Sequence, residues 1–238
     1  MKIVIIGGVA AGTKTAAKLK RECAQDEIVI YTKGKDISYA GCGLPYYIGG
    51  AVETEDELIV NTPEKFMGLT GTRVYTESEV TAVDPLAKTI RVQRGGNGPD
   101  TVETVSYDRL VIATGAESFI PPAEGVSLPG VFTVRSPQDA IGAREYAVEM
   151  NCRRAVVAGG GFIGLETAEN LTARGISVTV MDMAPQLMPN ILDADMADYV
   201  RRRLQSQGIR ILTGTTLKAV LGTDRVSGVQ TGAGTLPE

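Results

Sequence analysis

Cys42 stands in the stretch "ISYAGCGLPYYIGG", residues 37–50, with Gly41 and Gly43 on either side of it and Pro45 close behind. A cysteine thiolate can exchange with a disulfide, and peroxide can oxidise it to a sulfenic acid. The two glycines remove side chains that would keep a bulky partner away. The residues that follow can open a helix, since proline is tolerated in a first turn. A helix N-terminus favours the thiolate through its dipole and its unpaired N–H groups. The other two cysteines, Cys23 and Cys152, read as small buried hydrophobes. Three scattered cysteines provide neither a disulfide framework nor a zinc site, and no metal is expected. Histidine is absent from all 238 residues, which removes Ser-His and Cys-His catalysis by this chain.

Two glycine turns offer a second chemistry, the holding of a diphosphate. The first lies in "KIVIIGGVAAGTKTAAKLKRE". The apolar run Ile3–Ile6 predicts a strand buried on both faces, followed by a helix over about 11–23 and a strand over Glu27–Tyr31. This is the βαβ unit of a dinucleotide fold. Gly7 permits the tight turn, Gly12 lets helix and strand pack closely, and the helix N-terminus presents N–H groups to a pyrophosphate. The candidate contacts are Gly7, Gly8, Val9, Ala10, Ala11 and Gly12. Val9 stands where GxGxxG has its second glycine. Thr32, followed by Lys33, holds the place where an acid usually receives the ribose hydroxyls. By itself this turn is also compatible with another kind of parallel α/β turn.

The second turn, in "RAVVAGGGFIGLETAENLTARGISVTVMDM", has Gly159, Gly161 and Gly164 in full GxGxxG register. A strand over Ala155–Ala158, a helix over Phe162–Ala173 and a strand over Ser177–Met181 give it the context that the fingerprint requires. Asp182, at the end of that strand, would accept hydrogen bonds from the ribose and repel a 2′-phosphate. No arginine follows in "MAPQLMP" to receive one, so NADH is favoured over NADPH.

Between the turns lies "VSYDRLVIATGAES", with a strand over Arg109–Ile112 closing on Ala113, Thr114 and Gly115. This resembles the ATG segment of the pyridine nucleotide–disulfide oxidoreductases, flavoproteins that bind two dinucleotides. "IPPAEGVSLPGVFTVRSPQDA" is similar to their interdomain connector, and "LIVNTPEKF", residues 58–66, also looks like the family. The resemblance implies an α/β fold of two Rossmann-like, three-layer domains. One, over 1–116, would bind FAD and carry Cys42; the other, over 117–238, would bind NAD(H). By the same resemblance Gly7–Gly12, Thr32, Lys33, Ser38 and Ala113–Gly115 hold FAD. Gly159, Gly161, Phe162, Ile163, Gly164, Glu166 and Asp182 hold NADH, with Phe162 and Glu166 near the nicotinamide.

Disulfide reductases of this family usually carry C-x4-C, but here the fifth position after Cys42 is Tyr47. A lone thiol beside a flavin can be oxidised to a mixed disulfide or to a sulfenic acid. The stretch is similar to the single-cysteine segment of coenzyme A-disulfide reductases and of CoA-persulfide or polysulfide reductases. Gly41 replaces their common asparagine and Tyr39 their common phenylalanine. The NADH oxidases and peroxidases typically have a histidine in the first glycine turn, where this chain has Ala10. The resemblance therefore implies electron transfer from NADH through FAD to Cys42, which reduces CoA disulfide, CoA persulfide or polysulfide. Ser38 and Tyr39 would border the thiol. Lys18 and Arg21 match positions that meet CoA phosphates in relatives, and equally fit a solvated helix face. The alternatives are an NADH oxidase or peroxidase working through a sulfenic acid, a non-enzymatic nucleotide-binding redox sensor, and an inactive fragment.

The remaining segments predict a small antiparallel layer over about 71–110, with turns at Asp84–Pro85 and at Gly95–Gly98. A helix follows within 192–208, with Met196, Val200 and Leu204 on its apolar face and Gly208 as its stop. Arg201, Arg202 and Arg203 read as a solvated face, and "VSGVQTGAGTLPE" as a hairpin. The family is nearly twice this long. The FAD domain is expected to be incomplete, the NAD domain to lack its last strand, and a C-terminal dimerisation domain to be absent; the whole protein is expected to be a homodimer. A net charge of −4 gives no reason to expect nucleic acid or an anionic membrane as partner. No apolar run approaches the ~20 residues of a membrane span, and "MKIVIIGG" is too short for a signal peptide. The expected location is cytoplasmic and the expected partner a small thiol or disulfide.

Overall fold

Strand β1 (Lys2–Ile6) alternates its side chains between two buried faces. Ile3 and Ile5 join Ala16, Ile28, Ile30, Ile37 and Phe66 in one core cluster, while Val4 and Ile6 join Val29, Tyr31, Ile90, Val92 and Val105 in another. That division follows from three layers. In the middle lies a parallel sheet of order β3-β2-β1-β7, formed with β2 (Glu27–Tyr31), β3 (Arg73–Tyr75) and β7 (Arg109–Ile112). Helices α1 (Ala10–Glu22) and α3 (Pro63–Thr70) supply Ala16 and Phe66 to one face. An antiparallel sheet of β4 (Ser78–Asp84), β5 (Thr89–Arg94) and β6 (Thr101–Ser106) covers the other. Each fully buried isoleucine contributes roughly 1.5–3 kcal/mol, so an apolar run buried on both sides is what fixes β1 at the centre.

The computed structural model describes residues 1–95 and 101–237. These form two units: 1–40 with 59–117, just outlined, and 41–58 with 118–238. The Asp84–Pro85 turn joins β4 to β5, with Asp84 Oδ1 accepting from the N–H groups of Leu86 and Ala87. Of the Gly95–Gly98 turn, all but Gly95 lies outside the described residues.

The second unit has a parallel sheet of order β10-β9-β8, built from β8 (Arg154–Ala158), β9 (Ser177–Met181) and β10 (Arg210–Leu212). Helix α5 (Phe162–Ala173) joins β8 to β9, and α6 (Ala194–Ser206) leads into β10. Helix α4 (Pro137–Glu149) precedes β8 and opens on a capping box, Ser136 with Asp139. A second sheet, antiparallel, contains β11 (Leu217–Gly222), β12 (Val226–Thr231) and β13 (Gly234–Pro237), so the expected hairpin pairs with one strand more.

Three expectations change. Residues 41–58 pack with the second unit, because α2 (Leu44–Gly49) lies against α5 and α4. In α6 the buried residues are Ala197 and Leu204, whereas Met196 is 49% exposed. Ala197, Val200 and Leu204 share one stripe at spacings of three and four, and Met196 falls about 70° to the side of its centre. Cys23 and Cys152 are half-buried rather than buried: Cys23 is the C-cap of α1, and Cys152 lies just before β8. Among the described residues no helix is long and apolar enough to cross a membrane.

Candidate functional site

The first glycine turn is shaped by backbone approaching backbone. Gly7 has φ +107° and donates its N–H to Tyr31 O at 2.8 Å. A Cβ on Gly7 would lie 2.2 Å from the carbonyl oxygen of Ala113, and one on Gly12 would lie 1.9 Å from that of Gly7. No larger residue fits either place. Val9 is the N-cap of α1 at φ −97° and ψ −129°, so the second-glycine position of the fingerprint has no left-handed φ here. Its side chain makes no capping bond and the first turn of α1 has no acid. Ala10 and Ala11 are exposed, leaving the helix N-terminus uncovered for an anion.

Ala113, directly after β7, donates to Ile6 O at 2.8 Å and so holds the ATG segment beside the turn. Thr114 and Gly115 are exposed next to it. Ser38, at φ +50°, donates its N–H to Gly8 O, accepts from the Val60 N–H, and takes the Asn61 amide on its hydroxyl. Tyr39 forms an isolated bridge with Ile59. Residues 37–39 and 59–61 thus buttress the glycine turn, a role for Asn61 that local sequence does not reveal. Thr32 is 7% exposed, and its methyl would meet a Cβ on Gly8 at 3.0 Å. Lys33 is exposed and paired with Glu79 at 3.1 Å. Lys18 pairs with Glu22 at 2.6 Å on the outer face of α1, and that hydrogen bond holds the Glu22 carboxyl below its usual range. Arg21 is exposed on the same helix. Within this unit Gly7 and Gly12 let turn and helix come together, and the small Ala10 and Ala11 leave the helix N-terminus uncovered.

The second turn repeats the plan in the other unit. Gly159 has φ +124° and donates to Met181 O at 2.8 Å; a Cβ on Gly164 would lie 2.0 Å from the Gly159 oxygen. Gly161, the N-cap of α5, has nothing within 4 Å of its Cβ position, so the approach to the helix N-terminus is open. Phe162 and Ile163 are 56% and 55% exposed beside it, and Glu166 is half-buried one turn along. Asp182 follows β9 with both carboxylate oxygens engaged. Oδ2 accepts from the Gly160 N–H at 2.6 Å and Oδ1 from the Ala184 N–H at 2.7 Å. These bonds fix the acid at the rim of the turn and leave its remaining lone pairs for hydroxyl donors. Asp182→Asn in the whole protein is expected to raise the NADH KM about tenfold, the cost of weakened hydrogen bonds to a charged group. The NADPH-to-NADH preference should rise as the repulsive charge goes. Steady-state kinetics with both nucleotides check this, and an unchanged KM would remove Asp182 from the ribose.

Cys42 is exposed, in a 3-10 turn Gly41–Gly43 that runs directly into α2. Gly43 is the N-cap and Pro45 sits in the first turn, as its missing N–H requires. Beside Gly41 there is nothing within 4 Å of the Cβ position. The segment is anchored on α5, where a Cβ on Gly49 would meet Asn170 Cβ at 2.5 Å. Arg174 Nη1 donates to Ile48 O at 2.9 Å, and Arg144, from α4, reaches the carbonyls of Tyr47, Val52 and Glu53. The structure therefore gathers Cys42 with Gly159, Gly161, Gly164, Phe162, Glu166 and Asp182 in one unit. It gathers Ser38, Tyr39 and the first glycine turn in the other.

Residues 1–236 match the family model described as pyridine nucleotide-disulphide oxidoreductase. The chain is 40% identical over 230 residues to an NADH oxidase of Methanocaldococcus jannaschii, covering 96% of this chain and 50% of that protein. It is 34% identical over 233 residues to the NAD(P)H coenzyme A polysulfide/persulfide reductase of Pyrococcus horikoshii, covering 98% and 51%. Among solved structures, the NAD-dependent persulfide reductase from A. fulgidus gives a TM-score of 0.93 at 36% identity, covering 100% of this chain and 44% of that one. The chain spans about half the length of the curated relatives it matches.

Proposed function

Since this chain belongs to the pyridine nucleotide-disulphide oxidoreductase family, we propose that the whole protein uses NADH and FAD to reduce a sulfur substrate through Cys42. The substrate class is CoA disulfide, CoA persulfide or polysulfide. The observation that carries the proposal is the setting of Cys42: an exposed thiol between two glycines, at the head of a helix anchored on the nucleotide-binding helix α5. The whole protein is expected to be a homodimer.

Gly7–Gly12 and the ATG segment would hold FAD; Gly159–Gly164 and Asp182 would hold NADH. FAD, when bound, supplies a two-electron carrier between a hydride donor and a disulfide. The rest falls to the chain's own residues. The Cys42 thiolate attacks one sulfur of RSSR, forming a Cys42–S–SR bond and releasing RS⁻. Two electrons originating in NADH, with one proton, then break that bond and return the thiolate and RSH. The sum is RSSR + NADH + H⁺ giving 2 RSH + NAD⁺. A single thiol requires that the adduct stay on the protein between these steps, because Tyr47 cannot replace it as a resolving cysteine would. The open space beside Gly41 leaves room for that adduct.

A second reading has one observation in its favour: the M. jannaschii relative at 40% identity is named an NADH oxidase. There Cys42 would pass through a sulfenic acid. NADH consumption by the whole protein, measured in turn with CoA disulfide, CoA persulfide, peroxide and oxygen, separates the two. Faster turnover with the sulfur compounds, and a CoA-sized mass on Cys42, support the proposal. Faster turnover with peroxide or oxygen moves the assignment to the oxidase branch. Nucleotide binding with no sustained turnover makes the protein a redox sensor.

A further inference from the structure

We infer that Arg144 is a positioning residue for Cys42, holding the helix that carries the thiol onto the nucleotide-binding unit. The inference rests on the proposed role of Cys42. Helix α2 has six residues, and an isolated helix of that length has almost no stability of its own. Its conformation has to be imposed by what it touches. Leu44, Pro45, Tyr47 and Ile48 are buried beneath it, and at its far end the last carbonyls need donors. Tyr46 O accepts from the N–H groups of Ala51 and Val52, and Tyr47 O from that of Gly50. Arg174 supplies Ile48 O, and Arg144 adds a second donor to Tyr47 O and reaches the turn beyond, from 91 to 126 residues away in the chain.

Arg144 ties the helix end to the turn that follows it. Its Nη1 lies 3.2 Å from Tyr47 O, 3.1 Å from Val52 O and 3.1 Å from Glu53 O. One NH₂ group has two protons, so three acceptors around it must share them. Its guanidinium carbon stands 4.5 Å from the centre of the Tyr47 ring, a cation–π contact that fixes the plane of the fork. One side chain therefore clamps the end of α2, its ring at Tyr47 and the turn after Gly50. A cation at a helix C-terminus also opposes the negative end of the dipole. Lysine carries its donors and its charge on a single atom, so it cannot stand among the three carbonyls and over the Tyr47 ring at once as Nη1 and the guanidinium carbon do.

The consequence concerns the other end of the helix. The turn Gly41–Gly43 has no side chain beyond Cys42 with which to hold itself, and the space beside Gly41 is open. Where the sulfur sits thus depends on where α2 sits. Loosening the clamp lets residues 41–53 shift together, and the thiol no longer keeps one position relative to α5.

The experiment compares wild type, R144A and R144K in the whole protein. Hydrogen exchange reads the clamp: the amides of Gly50, Ala51 and Val52 should exchange about tenfold faster in R144A. Kinetics read the positioning: kcat with the sulfur substrate should fall about tenfold with the NADH KM little changed, because Arg144 lies outside the nucleotide turn. R144K should recover only part of both losses. Unchanged exchange overturns the clamp, and faster exchange with unchanged kcat overturns the positioning role. Should R144A not fold, R144K decides alone: a smaller fall in kcat at constant KM supports the inference, and coincidence with wild type overturns it. Should the wild type itself fail to turn over sulfur substrates, the proposed function is what fails. The positioning role is then read from the rate at which Cys42 takes up 5,5′-dithiobis(2-nitrobenzoate), followed by mass, a reaction that needs neither nucleotide. A change of about threefold or more in R144A, partly reversed in R144K, supports it, and a smaller one overturns it.

Discussion

Cys42→Ser in the whole protein is expected to lower kcat for CoA disulfide or persulfide at least about 10³-fold, with NADH affinity unchanged. The substitution removes one heavy atom's identity and almost no volume. Cys42 is exposed and the Cβ position of Gly41 is unobstructed, so the fold has little to lose. What changes is the chemistry. A hydroxyl is not ionised near neutrality and forms no bond to sulfur that NADH-derived electrons could reverse. No other cysteine lies in residues 37–50 to take over. The control is Cys152→Ser: that residue lies just before β8, away from the glycine turn at the strand's other end, and its loss should leave turnover within about twofold. NADH affinity is read by fluorescence titration and turnover by NADH absorbance. Turnover surviving in Cys42→Ser would take the thiol out of the reaction.

The parts of this molecule that local sequence makes legible are those in which backbone geometry dictates residue type. The strands at 27–31, 109–112 and 177–181 and the helix at 162–173 lie where periodicity puts them. Gly7, Gly12 and Gly164 follow from contacts of about 2 Å between a would-be Cβ and a neighbouring carbonyl oxygen, which no other residue survives. Val9 takes the fingerprint's second-glycine position without a positive φ. The assignment of 41–58 was not legible. Chain order joins it to the first βαβ unit, whereas its partners Arg144, Asn170 and Arg174 lie about 90 to 130 residues further on. Arg144 carries no motif: it is one arginine on a helix, and only the three carbonyls gathered around it distinguish it. Met196 failed for a simpler reason, since three hydrophobic residues at roughly helical spacing left open which of their neighbours complete the stripe.

Gly164→Ala is expected to be strongly destabilising. The new methyl would lie 2.0 Å from the Gly159 carbonyl oxygen and 3.1 Å from its carbon. Both are backbone atoms in a turn that Gly159 N–H ties to Met181 O at 2.8 Å, so neither can swing aside as a side-chain end could. Relief requires α5 to move off the strand–turn junction, which would weaken the packing of buried Leu165, Ala168 and Leu171. Overpacking of this kind costs typically 1–3 kcal/mol and more where backbone is involved. About 3 kcal/mol corresponds to a fall in Tm of roughly 6–12 °C for a unit of this size. Gly161→Ala separates the two functions of the glycines. Gly161 has φ −89° and nothing within 4 Å of its Cβ position, so alanine fits the backbone and the fold should melt within about 2 °C of wild type. Its methyl would instead stand at the open head of α5, where the diphosphate is proposed to approach, and NADH affinity should drop about tenfold. Scanning calorimetry and NADH titration of the two variants give the answer: a large Tm loss in one and an affinity loss without it in the other. Equal melting of both would mean that helix and turn are not locked together through Gly164, and unchanged affinity in Gly161→Ala would move the nucleotide away from this turn.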